Sequence, residues 1–172
     1  MATIDVPMHD LTVDDLERLP DEYRYELHEG NLLIMSPATV WHYRVGARLV
    51  RVLERKGKSV SGEVGIRLGN RSFRVADAAV FAGEVDDTRA YFGPDEILVA
   101  VEIVSPSSED DDHVDKPRRY ARAGIPEYWR IERAEDAQDA VIYMFKLART
   151  ADGDAAYVDN GITTLSNLEA QS

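Results

Sequence analysis

An apolar, mostly β-branched run, Ile97-Leu98-Val99-Ala100-Val101, takes one carboxylate at Glu102, resumes with Ile103-Val104 and stops at Ser105-Pro106. Continuous apolar runs bounded by turn residues predict a central strand buried on both faces. An ionised side chain there is costly unless it is paired or metal-bound, so Glu102 marks a site. The plainer reading is a strand-end acid that reaches solvent or an arginine. The acidic stretch Glu109-Asp110-Asp111-Asp112 then predicts a loop, and Lys116, Arg119, Tyr120 and Arg122 fall on a helix. Gly124 ends that helix, Ile125-Pro126 follows as the stop, and Glu127 to Ile131 begins another strand.

Upstream, Leu11 to Leu19 predicts a short helix, with Thr12 as cap, Asp15 completing a capping box and Leu11 stapled to Leu16. Tyr23 to His28 and Leu32 to Met35 flank Glu29-Gly30-Asn31 as a hairpin whose first strand carries Glu26. Ser36-Pro37 opens a long helix to about Lys56, with Val40, Tyr43, Ala47, Val50 and Leu53 as its apolar stripe. His42 stands near its start, as a ligand or as a packed histidine. Val60 to Leu68, which contains Glu63, and Phe73 to Phe81 are two strands about a turn at Gly69–Ser72. By period two, Asp77 shares a face with Phe73, Val75, Ala79 and Phe81 and is expected to be buried, unless the strand flips at Ala76. Ala140 to Leu147 is a further strand, and Ala156-Tyr157-Val158 with Thr163-Thr164-Leu165 suggest a final hairpin. This order predicts an α/β fold, a mixed central sheet flanked by helices, preceded by an N-terminal helix and hairpin.

The 172 residues fit one domain, 1–172, with 44% hydrophobic and 30% charged positions typical of a globular chain. With no cysteine, a disulfide framework and a thiolate metal site are both excluded. The N-terminus shows no cationic segment followed by an apolar one, and no apolar run approaches the roughly 18 residues of a membrane span, so a cytoplasmic protein is expected. The net charge of −12 argues against indiscriminate nucleic-acid binding. Distribution changes that picture, because much of the acid clusters in segments read as loops while Arg44, Arg48, Arg51 and Arg55 recur at helical spacing, as a basic face or a solvated one.

Two carboxylates on core strands, a third at Glu26 and a lysine beyond the buried strand make an oxygen-rich set suited to Mg²⁺ or Mn²⁺. Such an ion activates water and neutralises charge at a phosphodiester. Glu102-Ile103-Val104-Ser105-Pro106-Ser107, Asp112-x3-Lys116 and Tyr120-Ala121-x2-Gly124-Ile125-Pro126-Glu127-Tyr128-Trp129 resemble the Uma-two family, a branch of the PD-(D/E)XK nucleases related to restriction endonucleases. Tyr25-Glu26-Leu27 before Gly30, and His42 after Ser36-Pro37, extend the resemblance, which covers about residues 10–148 and leaves 149–172 as a C-terminal extension. It implies a restriction-endonuclease-like core, a Mg²⁺- or Mn²⁺-dependent endonuclease acting on DNA, and a homodimer. It assigns Asp77 and Glu102 to the metal, Glu26 to an auxiliary role and Lys116 to the catalytic lysine; His42, Glu63, Asp112 and Tyr120 are candidate accessory positions beside them. Ala76 stands where the superfamily has proline, and Val104 where it has lysine; Lys116, fourteen positions after Glu102, is a migrated lysine. Pro117 places it no deeper than the first helical turn, facing carboxylates or phosphate. The competing expectations are a catalytically silent nucleic-acid-binding module and a protein-interaction domain on the same fold.

Overall fold

Nine strands among the described residues form a mixed sheet with helices packed on it, the α/β architecture that the order of elements predicted. The structure is a computed structural model and describes residues 9–20, 22–106, 108–136 and 138–171. Ser107 of the motif and residues 1–8 of the N-terminal reading lie outside it. No helix among the described residues is long and apolar enough to cross a membrane.

The short helix expected over Leu11 to Leu19 is present as a 3-10 helix, Val13–Arg18. Its capping box is as predicted, since the Thr12 N–H and Oγ1 both donate to Asp15 Oδ2, at 2.9 and 2.7 Å. The hairpin β1 (Tyr25–His28) and β2 (Asn31–Ile34) leads into α1 (Val40–Arg55). This helix begins later than Ser36-Pro37 suggested, because Thr39 caps it by accepting from the His42 N–H. Its buried face also differs. Val45, Leu49, Val52 and Leu53, spaced for one stripe, are buried, whereas Val40 and Tyr43 are 68% and 71% exposed.

The strands β3 (Val60–Gly69), β4 (Ser72–Phe81), β5 (Tyr91–Phe92) and β6 (Ile97–Ile103) follow. Then come α2 (Lys116–Ala123), β7 (Glu127–Arg133), β8 (Ala140–Arg149), β9 (Ala155–Thr164) and α3 (Leu165–Ala170). The sheet order is β2-β1-β4-β6-β7-β8-β9, with β3 on β4 and β5 on β3. The expected final hairpin is instead one strand, β9, which pairs with β8 from Arg149↔Ala155 to Val141↔Thr164 with a bulge after Asp159. Residues read as an extension are therefore hydrogen-bonded into the sheet, and Leu165 of α3 enters the main core.

The sheet buries both faces. Leu49 and Leu53 of α1 pack with Val80, Val101, Ile103 and Ile131 on one side, and Tyr120 of α2 packs with Phe81, Ala100, Ile125 and Tyr128 on the other. This explains the unbroken apolar run in β6, where Leu98 alone, 40% exposed, departs from it.

The acidic stretch is not a loop. Residues 109–110 are helical and Asp111–Asp115 form a π-turn that runs directly into α2. The Lys116 N–H donates to the Asp111 carbonyl, five residues back. Widening the turn just ahead of Pro117 accommodates a ring that would clash inside a regular α-helix. Lys116 thus sits within a continuous helical stretch and not at its start, which corrects the first-turn placement. Gly124 ends α2 in the left-handed region at φ 86°, with open space where a Cβ would stand. Gly124→Ala is expected to lower stability by about 1 kcal/mol through backbone strain alone. Urea denaturation measures this, and an unchanged midpoint contradicts it.

Candidate active site

One long edge of β4 is covered by β3, and the other is shared by two strands that do not meet. On that second edge β1 pairs only at Leu27↔Phe73, and β6 joins from Ala78↔Val101 onward. The gap between them leaves ladder donors without strand partners, and acidic side chains take their place. Glu26 Oε1 accepts from the Val75 N–H at 3.0 Å, and Asp77 Oδ2 accepts from the Ile103 N–H at 2.7 Å. Asp77 and Glu102 stand one position beyond the end of the β4–β6 ladder, where the strands part.

The two acids are held differently. Glu102 is 1% exposed; its Oε2 accepts from Lys116 Nζ and its Oε1 from the Tyr120 hydroxyl, each at 2.7 Å. Lys116 and Tyr120 are one helical turn apart on α2, so one face of that helix closes both oxygens. Asp77 was expected to lie on the face of Ala79 and Phe81. Instead the alternation breaks: Ala76 joins those residues in the core under α2, while Asp77 faces His42 of α1 and keeps 14% of its side chain exposed. Its Oδ1 lies 2.9 Å from His42 Nε2. The irregularity coincides with Glu63, the opposite residue on β3, which has φ 53° and drops out of the ladder.

Glu26, His28, His42, Asp77, Glu102, Asp111, Asp112 and Lys116 line one cleft of about 540 Å³. It gathers four of the acids or bases expected from sequence, together with the accessory His42 and Asp112. Tyr120 lies beneath it, fully buried. Glu63 does not belong to it; its half-exposed carboxylate pairs with Arg24 at 2.8 Å and borders the adjoining groove under α1. His28, Asp111 and Arg74 were not anticipated. Arg74 is fully buried, with Nη1 donating to the Leu27 carbonyl at 2.7 Å and Nη2 to Asp115 at 3.2 Å, and with Nε 3.8 Å from Glu26. The argument that singled out Asp77 applies equally to Arg74, since both interrupt a strand whose two faces are apolar.

Lys116 is the electrostatic centre. Its ammonium lies 2.7 Å from Glu102, 3.4 Å from Asp112 and 3.6 Å from Glu26. Burial opposes its charge, but Glu102, Glu26 and Asp112 hold the proton on it well above the usual lysine range. Burial likewise pushes the Glu102 carboxyl well up; Lys116 opposes this, and the charges of Asp77 and Asp112 add to it. Asp112 is raised by burial against the pull of Lys116 and of its Ser108 hydrogen bond. Glu26 goes the other way. Burial would raise it, yet the His28 hydrogen bond, Lys116 and the Val75 N–H bring it to about 2.

Five carboxylates line the cleft, with Lys116 the buried cation among them. Asp112 Oδ1 is buried with no hydrogen bond, 3.4 Å from the Lys116 ammonium, and the half-buried Asp111 side chain makes no hydrogen bond or ion pair among the described residues. An oxygen-rich, negatively charged cleft with unsatisfied carboxylate oxygens fits a hard divalent cation.

Comparison with known proteins agrees with this architecture. The family model described as "Putative restriction endonuclease", Uma2, matches residues 13–159. A crystal structure from Anabaena variabilis, described as a putative nuclease belonging to DUF820, superposes with a TM-score of 0.64 at 16% identity, covering 93% of this chain and 98% of that one. At that identity the likeness concerns the fold. No curated protein matches the sequence. The gap in the sheet, the acids that fill it and the match over most of the chain lead to one conclusion: this chain belongs to the Uma2 family and has a nuclease-like fold.

Proposed function

We propose that the chain is a metal-dependent endonuclease that hydrolyses phosphodiester bonds in DNA at this cleft. The observation that carries the reading is the convergence of carboxylates from β1, β4, β6 and the π-turn around one buried, charged lysine. Asp77 and Glu102 would hold a Mg²⁺ or Mn²⁺ ion, with Glu26 and Asp112 close by. Such an ion, when bound, lowers the pKa of a coordinated water and offsets phosphate charge.

The chain's own residues set the stage for that chemistry. The ammonium of Lys116 is protonated and desolvated, so it serves as a fixed positive charge for a phosphoryl oxygen and not as a base. Tyr120, kept as a phenol by burial and by the neighbouring Glu102 charge, fixes the Glu102 carboxylate through its hydroxyl. His42 and the Ile103 N–H fix Asp77 from two sides. Two clefts allow both strands to be cut in one encounter, and we assign the chain to a homodimer, which sedimentation at twice the 19.3 kDa chain mass would support.

The silent-module reading draws on a specific feature: both Glu102 oxygens and both Asp77 oxygens already have partners. Cation binding separates the two. A ligand at 100 times its Kd stabilises the folded state by about 2.7 kcal/mol. Mg²⁺ is expected to raise the Tm of the wild type and to do so much less for Asp77→Asn. A wild type indifferent to Mn²⁺ and Mg²⁺ favours the silent module.

A further inference from the structure

Glu26 and His28 stand two apart on β1 and so project from one face of the strand. There they meet Asp111 of the π-turn: one ligand atom from each of the three lies within 4.8 Å of the others. We infer that Glu26, His28 and Asp111 form a second divalent-cation position beside the Asp77–Glu102 pair, and that its imidazole makes it selective for a first-row transition ion over Mg²⁺. This rests on the metal-dependent reading above.

Three observations support it. Glu26 divides its two oxygens, with Oε1 turned to the Val75 N–H and Lys116, and Oε2 turned to His28 Nε2 at 2.9 Å. One carboxylate thus reaches Lys116, the partner of Glu102, through one oxygen and His28 through the other. Asp111 is half-buried and has no hydrogen bond or ion pair among the described residues, while Oδ1 of the adjacent Asp112, 1% exposed, makes no hydrogen bond and meets only the Lys116 ammonium. Lys116 lies 3.4 Å from that oxygen and Arg74 Nε 3.8 Å from Glu26 Oε2, so Asp111 is the carboxylate of the three without a cation in contact. Finally, His28 is 30% exposed, which leaves the position open to an ion from solvent.

Ligand atoms about 2.1 Å from an ion stand about 3 to 4.2 Å apart in an octahedron, so Asp111 closes on the Glu26–His28 pair by a rotamer adjustment. The ion takes the place of the hydrogen that His28 and Glu26 share. Mg²⁺ prefers carboxylate and water oxygens, whereas imidazole nitrogen suits transition ions, so the His28 position and the Asp77–Glu102 position differ in preference.

The test is Mn²⁺ titration of the full chain followed by electron paramagnetic resonance, with His28→Gln and Asp111→Asn as variants; both side chains are partly exposed, so folding is retained. The wild type is expected to bind two Mn²⁺ per chain, one of them resistant to Mg²⁺ and showing nitrogen hyperfine coupling. That ion's affinity should fall in both variants by at least the roughly 10- to 100-fold that loss of a ligand's support costs, and the coupling should vanish in His28→Gln. One Mn²⁺ per chain, lost in Asp77→Asn and untouched by His28→Gln, overturns the second position and leaves the nuclease reading standing. Nitrogen coupling that persists in His28→Gln and disappears in His42→Gln overturns it as well. A wild type that binds no Mn²⁺ overturns both.

Discussion

Arg74→Met is expected to cost about 3–5 kcal/mol of stability, the range for removing one partner of a buried charge cluster. For a domain of this size that corresponds to a fall in Tm of roughly 10 °C. The guanidinium is wholly buried and bridges the Leu27 carbonyl on β1, Asp115 at the end of the π-turn and the Glu26 carboxylate, so it ties β4 to both β1 and the π-turn beside the gap in the sheet. Methionine fills much of the volume but leaves Glu26 ionised in a site with one fewer cation. The effect is also pH-dependent in a defined direction. Glu26 is depressed from 4.5 to about 2, despite burial, by His28, Lys116, the Val75 N–H and, last, Arg74. A depressed carboxyl contributes stability that is present above its unfolded value and lost as pH falls from 4.5 toward about 2. Without Arg74 that contribution shrinks at neutral pH. Urea denaturation at pH 7 measures the loss, and a change below about 1 kcal/mol would mean that the buried pair adds nothing beyond packing.

Lys116→Met is expected to reduce cleavage by about 10²- to 10³-fold, the scale for removing one preorganised electrostatic group from a reaction centre. A second effect distinguishes this from simple misfolding. Glu102, Glu26 and Asp112 lose the ammonium that lies 2.7 to 3.6 Å from each of them, so the variant should be destabilised without metal and should gain more from Mn²⁺ than the wild type does. Cleavage rates with thermal melts at several Mn²⁺ concentrations read both effects. Wild-type cleavage by folded Lys116→Met removes the lysine from the mechanism.

The central strand was legible because β6 is apolar on both faces, which leaves Glu102 as the one position that sequence cannot explain by exposure. The link from Glu102 to Lys116 and Tyr120 was legible only through the family resemblance, since nothing in their spacing sets the angle between strand and helix. Asp77 was found for a reason that proved incomplete: period two holds in β4 until the irregularity opposite Glu63, and a positive-φ glutamate leaves no sign in the sequence. Arg74 was passed over because an arginine beside a turn reads as surface. Asp111 and Asp112 were read as loop because four consecutive acids look solvated, and a π-turn has no compositional signature. The face of α1 differs from the expected one because Val40 and Tyr43 extend an apolar stripe by spacing yet are exposed, while Val45, Leu49 and Val52 enter the core. Asn160-Gly161 resembles a hairpin turn, but in β9 it serves the bulge opposite Met144.

The most direct measurement is nicking of supercoiled plasmid by the purified protein in Mg²⁺ or Mn²⁺, beside an EDTA control and an identically prepared Glu102→Ala protein. The account predicts nicked circles only with metal and only from the wild type. Cleavage that survives Glu102→Ala, or no cleavage from folded wild-type protein in either metal, contradicts it.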